Sequence, residues 1–127
     1  MTRIAAALAA AGLLVIAAFQ AALALGAPLG QAAWGGQQPR LPTRFRIGSA
    51  VAFAIWILAA LIILGRAGFE ISPLPQVVER WGTWILVGLL SVGALMNLAS
   101  SSRWERYIWG PLAVALASLT LVVALNA

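Results

Sequence analysis

The sequence predicts an all-α, polytopic membrane protein that forms one membrane domain, residues 1–127, built as a bundle of four transmembrane helices. The first observation behind this prediction is composition. Of the residues, 63% are hydrophobic and 9% are charged, against about 45–50% and about 25% in soluble domains. A soluble fold of this length has too little interior for so much apolar surface. The second observation is that the apolar residues form four runs, each close to the roughly 20 residues that cross a bilayer.

The first apolar run covers residues 4–25, which contain no charge and one strongly polar side chain, Gln20. A cleaved signal peptide is the alternative, with Arg3 before the apolar part and Ala22-Leu23-Ala24 as a cleavage motif. The apolar part of a signal peptide is typically about 7–15 residues. Because this run is longer, we interpret it as a retained span, and its many alanines predict close packing against neighbouring helices.

The second and third runs cover residues 47–64 and 81–99. The second helix is expected to begin near Thr43, because Pro42 disfavours helical backbone in the residue before it. A helix start at the membrane interface is expected just before the third run, after Pro75.

The fourth run covers residues 107–125. Ser102 and Glu105 have the spacing of a capping box, in which the hydroxyl accepts from the third amide of the helix and the carboxylate reaches back. Pro111 lies inside this helix, removes one backbone hydrogen bond and clashes with the carbonyl of Tyr107, so a bend is expected.

Charge and residue usage exclude several classes of function. The chain has eight basic residues, all arginine, three acidic residues, no histidine and no cysteine. The missing cysteines exclude disulfides, thiolate metal sites and thiol redox chemistry. The missing histidines remove the commonest zinc ligand, histidine-ligated haem and the usual general base. The arginines lie between apolar runs, as phospholipid headgroups favour, so we expect no nucleic-acid partner and no cofactor.

An even number of spans puts both termini on one side of the membrane. The terminal side carries Arg3, Arg66 and Arg80, and the other five arginines lie on the opposite side. Because basic residues are enriched on the cytoplasmic side, this count of three against five favours termini outside. The first helix usually dominates the orientation of a membrane protein, however, and here it favours termini in the cytoplasm. We adopt a cell-membrane location with cytoplasmic termini as the working expectation.

The longest connection, residues 26–46, has two interpretations. It is rich in glycine and proline, which break helices, and it contains Gln31 and Trp34. In one interpretation the loop folds back over the mouth of the bundle, and these two side chains line a ligand pocket. In the other, which we favour, the loop is interfacial and its tryptophan lies at headgroup depth.

Two strongly polar side chains, Gln20 and Asn97, lie towards the ends of the first and third runs. These two helices are parallel, so the amides are expected at a similar depth. They either orient the polar part of a ligand or join the helices by hydrogen bonds, the latter being worth about 0.6 kcal/mol on average.

A polar stretch before the fourth helix contains Ser100, Ser102, Arg103 and Arg106. Hydroxyls, guanidinium groups and the amides of a helix start can hold an anion or a lipid headgroup. The alternative is a tight connection with an ordinary helix cap.

No charged residue falls in the middle of a predicted span. Glu70, Glu79 and Glu105 are assigned to solvated connections, each near an arginine. Because a proton-coupled carrier usually needs a carboxylate or histidine within the membrane, this assignment argues against a small drug/proton antiporter.

Three sequence patterns, GAPLGQAAWGG, LPTRFRIGSA and NLASSSRWERYIWGP, resemble those of a group of small four-helix integral membrane proteins of high-GC bacteria whose function is unassigned. The resemblance covers nearly the whole chain, implies four spans and brings no catalytic residues. The chain is also similar in outline to compact four-helix membrane proteins that handle sterols and lipids. Those proteins use buried carboxylates in their cavities. In this chain the glutamates are assigned to connections, so no such carboxylate is expected.

The expected function is non-enzymatic: a multi-pass membrane protein that binds an apolar or amphipathic small molecule or a lipid, or serves as an accessory subunit of a larger membrane complex. The candidate ligand-binding residues are Gln20, Gln31, Trp34 and Asn97. Small-residue faces also permit a homo-oligomer within the lipid bilayer. The alternative is a small oligomeric transporter or channel, which would need a continuous polar stripe through facing helices.

Overall fold

In the computed structural model, the described residues, 1–34 and 39–127, form four long helices and no strand. Each of the four is long and apolar enough to cross a membrane, which confirms the predicted all-α bundle. The helices are α1 (Thr2–Ala24), α2 (Thr43–Arg66), α3 (Gln76–Leu98) and a fourth span, Glu105–Asn126, whose main part is α4 (Gly110–Asn126).

The helices form an up-and-down bundle. Sequence neighbours pack side by side, most extensively α1 on α2 and α3 on α4, and α4 closes the ring on α1. Contacts at one end show that the termini lie together with the α2–α3 connection: Arg3 Nη1 donates to the carbonyl of Gly68 at 3.4 Å, and Arg66 Nη2 donates to that of Ala127 at 2.8 Å. We call this the terminal end, and the opposite end, which holds the α1–α2 and α3–α4 connections, the loop end.

Prolines set where two helices begin. Pro42 is extended (φ −64°, ψ 160°) directly before α2, which begins at Thr43 as predicted. Pro75 is extended in the same way (φ −62°, ψ 149°), and α3 begins at Gln76, directly after it and before the third apolar run, as expected. A hydropathy profile alone does not reveal the first turn of α3, because that turn contains the charged residue Glu79.

Glycines end the first two helices. Gly26 and Gly68 have φ values of +94° and +95°, in the left-handed region that glycine adopts without steric cost. In each case the glycine amide and the next amide donate back to carbonyls of the last helical turn, the pairing known as a Schellman motif. The chain therefore turns sharply at the end of both helices.

The thin first helix lies at the centre of the packing. Its alanine face, including Ala6 and Ala9, is buried, and Leu13 is fully buried. At Gly12 a β-carbon would lie only 2.5 Å from Leu116 Cδ2 of α4. Helices in lipid associate through such close packing rather than through the hydrophobic effect, so the alanines and Gly12 set how near α1 and α4 can come.

The fourth span begins with a π-helical turn, Glu105–Trp109, in which the amide of Gly110 donates to the carbonyl of Glu105. The turn lies directly before Pro111, whose ring would crowd the carbonyl of Tyr107 in a regular α-helix. The extra residue in this turn shifts the side chains before it by about 100° around the helix axis. The backbone irregularity at the proline thus takes the form of a widened turn.

The assignment of two glutamates to solvated connections is wrong. Glu79 lies within α3 and is only 7% exposed, packed against Gly65 of α2. It is buried because α3 begins before the apolar run and because Gly65 leaves room for its carboxylate. Glu105 lies in the π-turn, is half-buried and faces a cavity.

Candidate functional site

The loop half of the bundle contains a partly open cavity of about 820 Å³. Every helix and the α1–α2 connection contribute to its walls. The lining residues are Ile16, Phe19, Gln20, Ala32, Ala33, Trp34, Ala52, Trp56, Leu89, Leu90, Gly93, Met96, Asn97, Ser100, Ser101, Glu105, Trp109 and Ala113.

Aromatic side chains form much of the cavity wall. Phe19 of α1 and Trp109 of the π-turn lie with ring centroids 4.7 Å apart and planes tilted by 40°. Trp56 of α2 and Trp34 of the connection also face the cavity. Rigid rings of this kind bury large areas of an apolar ligand at little cost in side-chain entropy.

Gly93 leaves part of this space empty. A β-carbon built on Gly93 meets no atom within 4 Å, although the residue is part of the lining. Leu89, Gly93 and Met96 recur at helical spacing along α3, so one face of this helix forms a continuous wall, which Ser100 extends into the α3–α4 connection.

Polar groups collect at the mouth of the cavity, towards the loop end. Gln20 and Asn97 both belong to the lining. The amide nitrogen of Asn97 donates to the carbonyl of Gly93 at 2.8 Å, within its own helix. The side-chain oxygen of Gln20 is buried and has no hydrogen-bond partner, so the two amides share the cavity without this oxygen joining them.

Glu105 brings a carboxylate to the same mouth. Its Oε1 accepts a hydrogen bond from the Ser100 hydroxyl at 2.6 Å, and its backbone amide donates to the Ser102 hydroxyl at 3.4 Å. The second contact is the hydroxyl half of the predicted capping box. The α3–α4 connection is thus a built helix cap that also presents an acidic group to the cavity.

The residues of the predicted anion site are distributed differently. Ser100 lines the cavity, Ser102 is buried in the cap, Arg103 is exposed and Arg106 is half-buried. The guanidinium of Arg106 lies 4.9 Å from the ring centroid of Tyr107, and its Nε has no hydrogen-bond partner. Neither arginine is part of the cavity lining.

The α1–α2 connection lies over the mouth. A short 3₁₀ turn, Gly30–Ala32, runs across it, and the amide of Gly30 donates to the carbonyl of Pro39 at 2.9 Å. The indole of Trp109 donates to the carbonyl of Ala32 at 2.9 Å. The side chain of Gln31, proposed as a ligand-binding residue, and residues 35–38 lie outside the described part of the chain.

Trp34 is held in the wall by three contacts. Its indole N–H donates to the buried hydroxyl of Ser49 at 3.0 Å, and its ring stacks on Phe45 with centroids 5.3 Å apart. Gly48 leaves the space that the indole occupies, because a β-carbon there would lie 3.1 Å from the ring. Trp34 also has a φ of +51°, a backbone state that costs a non-glycine residue about 1–3 kcal/mol and that these contacts offset.

Sequence reasoning found part of this site. Gln20, Trp34, Asn97 and Ser100 were candidates and lie in the lining, whereas Trp56, Trp109 and Gly93 were missed as site residues. The helical spacing of Gly93 with Asn97 and Ser100 was a usable signal. Trp109 lies four and seven residues before Ala113 and Leu116 of the buried face of α4, so the same kind of spacing could have found it. Among the described residues, no three acidic, histidine or cysteine side chains come together to hold a metal ion.

No protein-family model matches the chain, and neither a curated protein nor a solved structure is similar to it. The fold and the cavity are therefore the basis for any functional proposal.

Proposed function

We propose that the protein is a non-enzymatic membrane protein that binds an apolar or amphipathic small molecule or lipid in the cavity of its loop half. One observation supports this above all: a space of about 820 Å³ with aromatic walls and a polar mouth. Ligand sites in proteins are typically about 300–1,000 Å³, mostly apolar, with a few converging polar groups. An apolar body would lie against Phe19 and Trp56, and a polar head would lie near Gln20 and Glu105.

A cavity-filling substitution tests this proposal. Gly93→Leu places an isobutyl group in the open part of the cavity, and Gly88→Leu is the matched control. Gly88 lies on the same helix, its β-carbon position is equally free of neighbours, and it is not part of the lining. Both variants gain the same helix propensity, about 1 kcal/mol relative to glycine, so they differ mainly in what the new side chain occupies.

The measurement is equilibrium dialysis of 1-naphthylmethanol against the protein in lipid nanodiscs, with empty nanodiscs subtracted. We expect the wild-type protein and Gly88→Leu to bind the probe equally, and Gly93→Leu to bind it about tenfold more weakly, because the filled space no longer admits the ring. Equal binding by both variants, or no binding by the wild type above empty nanodiscs, would show that the cavity is not a ligand site.

Transport is the second candidate function, and the position of Glu105 favours it. The argument against a proton-coupled carrier assumed that every carboxylate lay in a solvated connection, whereas Glu105 faces the cavity. Proteoliposomes loaded with the naphthyl probe test this. Efflux that exceeds that of empty liposomes and is lost in Gly93→Leu supports a small transporter, whereas binding without efflux supports a binder or an accessory subunit.

We further propose that the protein resides in the cell membrane with both termini in the cytoplasm, because a first helix usually dominates orientation. The cysteine-free chain allows a clean test with the single-cysteine variants Arg40→Cys and Ala127→Cys. In intact cells, a membrane-impermeant maleimide should label only Arg40→Cys. Labelling of Ala127→Cys alone would reverse the orientation.

A further inference from the structure

We infer that the ligand of this cavity is a lipid of the surrounding bilayer, whose hydrocarbon chain enters sideways between α2 and α3. This inference rests on the proposed binding function and specifies the class and the source of the ligand. In the terminal half of the bundle, α2 and α3 are in contact. A β-carbon on Gly82 of α3 would lie 3.0 Å from Cδ1 of Ile62 on α2, and Gly65 of α2 packs against Glu79 of α3.

The same face of α3 loses this contact towards the loop end. Leu89, Gly93 and Met96 follow Gly82 at helical spacing and line the cavity. A β-carbon on Gly93 meets no atom of the described residues within 4 Å, and Leu89 and Met96 are 45% and 69% exposed. Trp56 belongs to the wall on the α2 side. The cavity therefore opens between the two helices, and we call this opening the α2–α3 gap.

The α2–α3 gap lies at the depth of the lipid chains. Leu89 and Met96 belong to a helix that is long and apolar enough to cross a membrane, and the rise between them is about 10 Å. Exposed side chains in this part of a span face hydrocarbon rather than water. Because an unfilled space beside them forfeits dispersion contacts, a lipid chain is the neighbour that fills it.

The loop end of the cavity is covered by the α1–α2 connection. Ala32 and Ala33 of this connection line the cavity and are buried. Hydrogen bonds from the indoles of Trp34 and Trp109 hold the connection in place. A ligand that arrives from water has to displace this cover, whereas a lipid chain in the α2–α3 gap leaves it undisturbed.

The polarity of the lining changes along the cavity in the order found in a lipid. Asn97 and Ser101 lie towards the loop end, and Ile16 and Leu90 lie deeper in the bundle. A lipid in the leaflet on the loop side likewise has its polar head at the interface and its chain directed towards the middle of the membrane. The lining thus matches such a lipid in direction as well as in polarity.

Photo-crosslinking in nanodiscs tests the route of entry. One probe is a phosphatidylcholine with an aryl diazirine at the end of one chain, which reaches the cavity only from the bilayer. The other is the matching aryl-diazirine benzyl alcohol, which can enter by either route. Crosslinked residues are identified by tandem mass spectrometry. The informative residues are Leu90 and Ala113, which line the cavity and are buried, and the exposed Val15 of α1 reports contact with the surrounding lipid.

We expect both probes to label Leu90 and Ala113 in the wild-type protein and in Gly88→Leu. In Gly93→Leu the new side chain occupies the α2–α3 gap. Labelling of Leu90 and Ala113 by the phospholipid should then fall at least about fivefold, while labelling of Val15 stays unchanged.

Two results would overturn the inference while leaving the binding function intact: labelling of Leu90 and Ala113 by the alcohol alone, or labelling by the phospholipid that persists in Gly93→Leu. Labelling of neither residue by either probe would instead contradict the binding function itself.

Discussion

The two ends of the bundle place a glutamate side chain in opposite environments. At the terminal end, Glu79 lies on α3 against Gly65 of α2, and the glycine has just enough room for the carboxylate. At the loop end, Glu105 faces a cavity, and the glycine of that region, Gly93, has empty space where a side chain would lie. The same pair of residue types thus forms a filled contact at one end and an open site at the other.

The contacts that close the two ends differ as well. At the terminal end, Arg3 and Arg66 donate to backbone carbonyls of the α2–α3 connection and of the last residue. At the loop end, the indoles of Trp34 and Trp109 hold the connection over the cavity. Guanidinium groups therefore fix the segments at the terminal end, whereas indoles fix the connection at the loop end.

The largest effect on stability is expected from filling the closed end. In Gly65→Ala the new methyl group would overlap the carboxylate of Glu79 and crowd Ser72, so overpacking should lower the free energy of unfolding by about 1–3 kcal/mol. Gly88→Ala, with no neighbour at that position, should instead gain up to about 1 kcal/mol from helix propensity. Denaturant unfolding in detergent measures both, and equal stability of the two variants would remove the distinction between the ends.

The next effect concerns the unpartnered oxygen at the open end. Gln20→Leu removes a buried acceptor without a partner, so the ligand-free protein should gain about 1–2 kcal/mol of stability while its affinity for 1-naphthylmethanol, whose hydroxyl can donate to this oxygen, falls. Asn97→Leu, which also removes a bond within α3, should not show this gain. A loss of stability in Gln20→Leu would mean that the oxygen has a structural role.

A smaller effect is expected from loosening the indole that holds the connection. Trp109→Phe keeps a ring against Phe19 but cannot donate to the carbonyl of Ala32. The loss should be about 0.5–1.5 kcal/mol, together with faster amide exchange in Gly30–Ala32 measured by mass spectrometry. Trp104→Phe, at an exposed tryptophan, is the control, and unchanged exchange in Trp109→Phe would argue that the hydrogen bond does not hold the turn.

The smallest effect is expected at Arg103, once a candidate for headgroup binding. The residue is exposed and lies outside the cavity lining. Arg103→Ala should change stability by less than about 0.5 kcal/mol and leave binding of 1-naphthylmethanol unchanged. Binding of the anion 1-naphthoate by the wild-type protein that is lost in Arg103→Ala, with binding of 1-naphthylmethanol kept, would revive the anion site.

The fold could be predicted from the sequence because each span is long and nearly uncharged, and because prolines and glycines mark several ends. Thr43 could be identified as the start of α2 from Pro42 alone. The start of α3 could be inferred from Pro75 in the same way, whereas the burial of Glu79 could not, since this residue looks solvated until Gly65 is known to lie beside it. This contact joins two helices, so it cannot be predicted from the residue pattern within either helix.

The polar residues of the site could be predicted from the sequence, whereas the geometry of the site could not. Gln20 and Asn97 stand out because amides are rare in apolar runs, and the parallel direction of α1 and α3 puts them at one depth. The direction of Glu105 depends on the π-turn, and the position of the connection depends on the hydrogen bond from Trp34 to Ser49. These features arise from packing between distant segments, about which local propensity carries no information.

The π-turn means that the fourth span contains one residue more than a regular α-helix of the same height would need. Deleting one residue within 106–108 would let the backbone return to α-helical pairing without shortening the span, and the residues before the deletion would keep their direction, because the widened turn already absorbs the extra residue. Regular α-helical pairing with every residue kept would instead turn the carboxylate of Glu105 by about 100°, away from the cavity. In this protein the backbone pairing of one turn determines whether that carboxylate faces the cavity.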